Sequence, residues 1–231
     1  MQLIQKTPEK LILRMNANYG LANAIRRSIE EIPVLAIDEV EFFKNDSALY
    51  DEFLAHRIGL IPLKTESKLG SKTNVSLKLK KIGPCTVYSG DFKGGVKVVH
   101  DKIPITLLEK DQELELVASA ALGKGIEHTK YSPGLCYYRP VLEIKSGPQI
   151  DKIIQSNKGA IKAEKSGSRW ICDLPEAEVD EILKIDKEAV KDSDEILFFI
   201  ESWGMIGAEI ILKKAIDALG DNLKEFEKAL K

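Results

Sequence analysis

The sequence predicts an α+β fold, with helices and strands largely segregated along the chain. Three observations carry that prediction. Residues 73–118 read as a series of short strands separated by turn residues. A long amphipathic helix lies near each end of the chain. A third stretch, Glu195 to Glu201, is an almost unbroken apolar strand.

In order, Leu3-Ile4 and Leu11-Ile12-Leu13 flank Thr7-Pro8-Glu9-Lys10, which gives two short strands and a turn. The first helix follows, from Asn18 to Pro33. Leu21, Ala24, Ile25, Ser28, Ile29 and Ile32 recur at helical spacing and form one apolar stripe. Asn18 is suited to cap the start, and Pro33 stops the helix because it lacks a donor and restricts the residue before it. Arg26 and Arg27 are adjacent in this helix. Neighbouring helical residues point in well-separated directions, so both guanidiniums cannot face the core.

Val34 to Phe43 reads as a strand, and Asn45-Asp46-Ser47 as a turn. Leu49 to Ile58 is predicted as a short helix with Leu49, Phe53, Leu54 and Ile58 on one side and Gly59 after it. Residues 64–72 are polar and rich in Gly, Ser and Lys, as in a loop. Val75-Ser76-Leu77-Lys78-Leu79-Lys80 alternates with period two. Further strands are expected at 85–88, 96–99, 103–108, 114–118 and 137–144, with an irregular loop at 123–129. Ser146-Gly147-Pro148 marks a boundary. Residues 148–192 then form a small polar piece with a strand at 168–172 and a helix at 176–190. The strand at 195–201 is expected to be buried on both faces.

The second long helix runs from Ala208 to Leu230. Leu212, Ile216, Leu219, Leu223, Phe226 and Leu230 follow a heptad-type spacing, the pattern by which a helix meets one partner helix. Amphipathic helices more often pack on their own sheet. Two features favour a partner here. The helix is too long for one small sheet to cover, and it follows a strand that is already apolar on both faces.

With 34 basic and 36 acidic residues, the net charge is −2. Hence no basic field attracts nucleic acid. Three dispersed cysteines argue against a disulfide framework and fit a reducing compartment. No apolar run approaches membrane-spanning length and the N-terminus lacks a signal-peptide core, so a soluble cytoplasmic protein without membrane contact is expected. There is no phosphate-binding glycine loop, no paired-cysteine motif, and no metal-ligand spacing among His56, His100 and His128. Cys136 and His128 offer one conceivable nucleophile–base pair, although a buried structural cysteine is the commoner case. His56-Arg57 at a helix end is either a site or compensation of the helix dipole. Three functions follow from these residues: an assembly scaffold, an enzyme built on Cys136 and His128, or a homodimeric interaction module.

Several stretches resemble a known family. Gly20-Leu21-Ala22-Asn23-Ala24-Ile25-Arg26-Arg27, with Ile32-Pro33-Val34-Leu35-Ala36-Ile37-Asp38-Glu39-Val40, resembles the assembly motif of RNA polymerase α-like subunits. Leu49-Tyr50-Asp51-Glu52-Phe53-Leu54-Ala55-His56-Arg57-Ile58-Gly59-Leu60-Ile61-Pro62-Leu63 is similar to the signature of its archaeal and eukaryotic branch, the archaeal D-type members in particular. Gly123 to Tyr131, Tyr137-Tyr138-Arg139-Pro140 and Glu201-Ser202-Trp203-Gly204 resemble further family blocks.

The resemblance implies a dimerisation domain from 1–42 and 193–231, a mostly-β insert domain at 43–147, and a small ferredoxin-like third segment at 148–192. It implies a non-catalytic assembly component that pairs with the small α-like subunit L. Leu21, Ile25, Ile29, Leu212, Ile216, Leu219, Leu223 and Phe226 would form that interface. Arg26 and Arg27 would reach the second-largest catalytic subunit. The insert, marked by His56, Arg57, Gly59 and Pro62, would meet small subunits N and P. DNA and RNA would be met only through the complex, and no catalytic or metal residue is expected. Some D-type members hold an iron–sulfur cluster in the third segment. Here that segment contains only Cys172, too few thiolates for a cluster, so no cofactor is expected.

Overall fold

The computed structural model describes residues 1–16, 18–65, 75–156 and 159–230. From residue 66 onward, the predicted 64–72 loop lies outside the described residues. The elements are β1 (Gln2–Lys6), β2 (Lys10–Asn16), α1 (Tyr19–Ser28), β3 (Val34–Asn45), α2 (Asp51–Gly59), β4 (Val75–Ile82), β5 (Cys85–Tyr88) and β6 (Lys93–Gly94). They continue with β7 (Pro104–Leu108), β8 (Glu113–Gly123), β9 (Gly134–Lys145), α3 (Pro148–Ser156), β10 (Glu164–Ser166), β11 (Arg169–Cys172), α4 (Glu176–Ile185), β12 (Val190–Ser202) and α5 (Ala208–Ala229).

Two sheets and a ribbon organise these elements. A six-stranded sheet has the order β1-β2-β12-β9-β11-β10, a four-stranded sheet has β3-β8-β4-β6, and β5 pairs with β7. β12 lies inside the larger sheet. Ile196, Phe198 and Ile200 enter the core beneath α1 and α5, while Leu197 and Phe199 enter a second cluster with Ile12, Val141 and Ile161. All five are buried, so this strand is covered on both faces as expected.

β3 is shared between two cores. Val34 and Ala36 join the α1/α5 core, whereas Leu35 and Ile37 join the core of the smaller sheet, because successive strand residues point to opposite sides. Both expected insert boundaries therefore shift. β3 is hydrogen-bonded to β8 from Val34↔Gly123 to Asn45↔Leu114, so 34–42 belong with the smaller sheet as well. β9 runs between β12 and β11, so residues 134–145 belong to the larger sheet rather than the insert. The third segment keeps its own small core of Ile150, Ile154, Cys172 and Ile182 with Leu142 and Ile144. Its β11 pairs with β9 and extends the large sheet.

Local differences have simple causes. The first helix is α only to Ser28 and continues as a 3-10 turn at Ile29–Glu31. Pro33 forces Ile32 into extended backbone, so the last turn closes through Ile32 N–H to the Ile29 carbonyl. α2 starts at Asp51, and Phe53 faces solvent while Leu54 and Ile58 fill the core. The expected strand at 96–99 is reduced to one bridge, Leu63↔Val98. The 176–190 helix ends at Ile185, and Val190 already belongs to β12.

Candidate protein-binding surface

Asn18 Oδ1 accepts from the Leu21 N–H at 2.7 Å, which caps α1 and fixes where its stripe begins. Ala22, Ile29 and Ile32 are buried in the core with β12 and α5. Ile29 is thus a core residue, which corrects its expected place at a partner interface. It follows Ala22 and Ile25 at helical spacing and packs with them and Ile32 in the chain's own core. Ile25 is half-buried against the same core, and Leu21 is exposed.

α5 changes character along its length. Ala208, Ile211 and Ala215 are buried, and Leu212 packs on the core. Leu219 is half-buried and Ile216 exposed. From Asp221 to Leu230 every residue is exposed. Leu223 is 60% and Phe226 64% exposed. The predicted seam therefore has a covered root and a bare outer half. Exposed Tyr19 and Ile210 lie off that seam, and its periodicity gave no signal for them.

Arg26 is half-buried and donates through Nε and Nη2 to Asn23 Oδ1 at 3.1 and 2.9 Å. Arg27 is exposed. Among the described residues neither guanidinium has a carboxylate partner. Both line a cleft of about 610 Å³ with Ser28, Leu135, Cys136 and Asn222. The acids of this cleft are engaged elsewhere. Glu31 pairs with Lys124 at 2.9 Å, and Glu30 accepts from Ser132 Oγ at 3.0 Å. The cleft therefore presents two guanidiniums that no ion pair holds among the described residues.

The insert signature residues tie elements together. Arg57 Nη2 donates to the Pro104 carbonyl at 2.7 Å, and the Pro62 carbonyl accepts from Val99 N–H at 2.8 Å. His56, Gly59 and His128 line a small recess with Asp38 and Lys130. Lys130 pairs with Asp38 at 2.6 Å and holds its carboxyl below the usual range. Burial and the hydrogen bond to Asp38 push the Tyr131 phenol up to about 12.

Cys136 and His128 line separate recesses. His128 Nδ1 accepts from the Lys130 N–H at 3.1 Å, and burial pushes the Cys136 thiol up to about 12. A protonated, buried thiol is no nucleophile. Cys85, Cys136 and Cys172 pack in three different hydrophobic clusters. No group of three or more His, Cys, Asp or Glu side chains among the described residues is placed to hold a metal ion. No helix among them is long and apolar enough to cross a membrane.

Over 242 aligned positions the chain is 35% identical to the DNA-directed RNA polymerase subunit Rpo3 of Pyrococcus horikoshii, covering 94% of this chain and 92% of that protein. It is 34% identical over 252 positions to Rpo3 of Methanothermobacter thermautotrophicus, covering 96% of each. The chain belongs to the archaeal Rpo3 family. Rpo3 of Thermococcus kodakarensis is 41% identical over 155 positions, 62% of this chain and 60% of the relative. Rpo3 is the D-type α-like component of a DNA-directed RNA polymerase. Within this chain, residues 35–134 match the RNA polymerase Rpb3/RpoA insert domain. That match begins inside β3 and ends at the first residue of β9, where the chain passes between the two sheets.

Proposed function

We propose that this polymerase subunit is a non-catalytic assembly scaffold that pairs with the small α-like subunit L. The observation that carries the reading is the bare outer half of α5. Leu223, Phe226 and Leu230 are large apolar side chains that the chain's own core leaves in water. With Ile216, Leu219 and exposed Leu21 they present a face suited to a partner helix. The chain's two ends, joined by β9, would form the dimerisation unit.

Arg26 and Arg27, with no carboxylate partner among the described residues, would then contact the second-largest catalytic subunit, and the insert would contact small subunits N and P. DNA and RNA would be met through the assembled enzyme, in the cytoplasm. No iron–sulfur cluster is proposed, because the three thiols are separated among distinct cores.

Co-expression with subunit L, followed by gel filtration with light scattering, tests the scaffold reading. A one-to-one complex is expected. A well-behaved monomer that ignores subunit L would refute it. Arg26→Ala with Arg27→Ala should leave that complex intact and weaken capture of the second-largest subunit. Unchanged capture would make the pair a solvated face.

A further inference from the structure

β7 has an unusual position for a strand. Among the described residues it pairs with β5 alone, and β5 pairs with nothing else. A two-stranded ribbon is marginal by itself, and its outer edge offers backbone groups to any extended chain. Natural edges are commonly blunted by charge. β7 reads Pro-Ile-Thr-Leu-Leu and carries none. Its Leu107 side chain is 69% exposed.

A groove of about 460 Å³ lies between β7 and α2, lined by Ala48, Leu49, Arg57, Thr86, Pro104 and Leu107 among others. Its wall is largely apolar. Phe53, one helical turn before Arg57 on the same side of α2, is 61% exposed. Arg57 is the cation of this wall. It donates to the Pro104 carbonyl and pairs with no carboxylate among the described residues. Its remaining N–H donors and its charge suit a carboxylate.

We propose that this groove receives an extended, carboxylate-bearing polypeptide segment of another polymerase subunit, which adds to β7 as a third strand. The backbone of that segment would satisfy the free edge. An apolar residue would cover Leu107, and an acidic side chain would meet Arg57. Only an extended segment answers the strand edge, the apolar wall and the single cation together. The inference rests on the assembly reading above, because it takes the occupant from within the polymerase.

Hydrogen exchange on the heterodimer with subunit L, and on polymerase reconstituted from all recombinant subunits, tests it. Amides of residues 105–108 should exchange more slowly in the complete polymerase than in the heterodimer. Arg57→Glu and Leu107→Lys should each lower recovery of complete polymerase by about tenfold, and neither should impair the heterodimer. Leu107→Lys guards against a folding artefact, because its side chain already faces water. Unchanged exchange at 105–108 on assembly, or wild-type recovery from both variants, overturns the proposal. Protection that instead tracks concentration-dependent self-association would assign the groove to a second copy and also overturn it. Failure of the heterodimer itself would refute the scaffold reading, with exchange at 105–108 in the polymerase against the lone chain still deciding the groove.

Discussion

Replacing Leu223 and Phe226 together by Ala separates an interface helix from a core helix. Fully burying a Leu or Phe side chain contributes about 1.5–3 kcal/mol. Both side chains are still more than half exposed in this chain. Roughly 1–2 kcal/mol per side chain is therefore left to gain when a partner covers them. The double variant should weaken pairing with subunit L by about 2–4 kcal/mol, or roughly 30- to 1,000-fold in Kd. Stability of the lone chain should change by no more than about 0.5 kcal/mol, since neither residue touches its core. Titration of labelled subunit L by fluorescence anisotropy gives the first quantity, and urea unfolding of the lone chain gives the second. A Kd change below about threefold, or a lone chain weakened by more than about 1 kcal/mol, would refute the reasoning. Charged substitutions at Ile25 or Leu219 are poorer probes, because both are already half-buried in the chain itself.

Three further outcomes are expected. Arg139→Ala should cost about 2–4 kcal/mol in urea unfolding, because it strips the ion-pair partner from Asp173, a buried carboxylate held at 2.6 Å; a loss under about 0.5 kcal/mol would refute that role. Hydrogen bonds from Trp170, then Ser146 and Gly147, hold the Asp151 carboxyl at about 2, below the ordinary value. The ionised form is the one the fold favours, so this contribution is complete above about pH 4 and fades as pH falls through about 2; near-ultraviolet circular dichroism of Trp170 should show that loss in the wild type and not in Asp151→Asn. Cys136 should resist iodoacetamide at pH 8 until the chain unfolds, because burial keeps its thiol protonated; rapid stoichiometric alkylation of the native protein, read by mass spectrometry, would reopen the enzyme reading.

The legible parts of the fold were those set by local pattern. Asn18, Pro33, the alternation at 75–80 and the apolar run at 196–200 each act through neighbours in sequence, and each appears in its expected role. Domain limits were less legible. β9 and β3 join their sheets through partners dozens of residues away, and nothing in their own composition names those partners. The candidate surface divides in the same way. The heptad spacing of α5 was readable, but where its covered root gives way to its bare half depends on how far β2, β12 and α1 extend beneath it. Ile29 is on the stripe as read, but the stripe alone does not say which of its residues the chain's own β12 and α5 cover. The 3-10 turn that ends the helix follows from Pro33, whose restriction of Ile32 reaches back into the last turn.

The sharing of β3 between two cores has a consequence for how the chain finds its register. Sliding β3 by one residue would send Val34 and Ala36 into the core that needs Leu35 and Ile37, and the larger pair into the space built for the smaller. One core would be overfilled and the other left with voids in the same step. A strand packed on a single sheet has one template to check its alignment; this one is proofread twice, from opposite sides, so a shifted insert is rejected by α1 and α5 as well as by its own sheet.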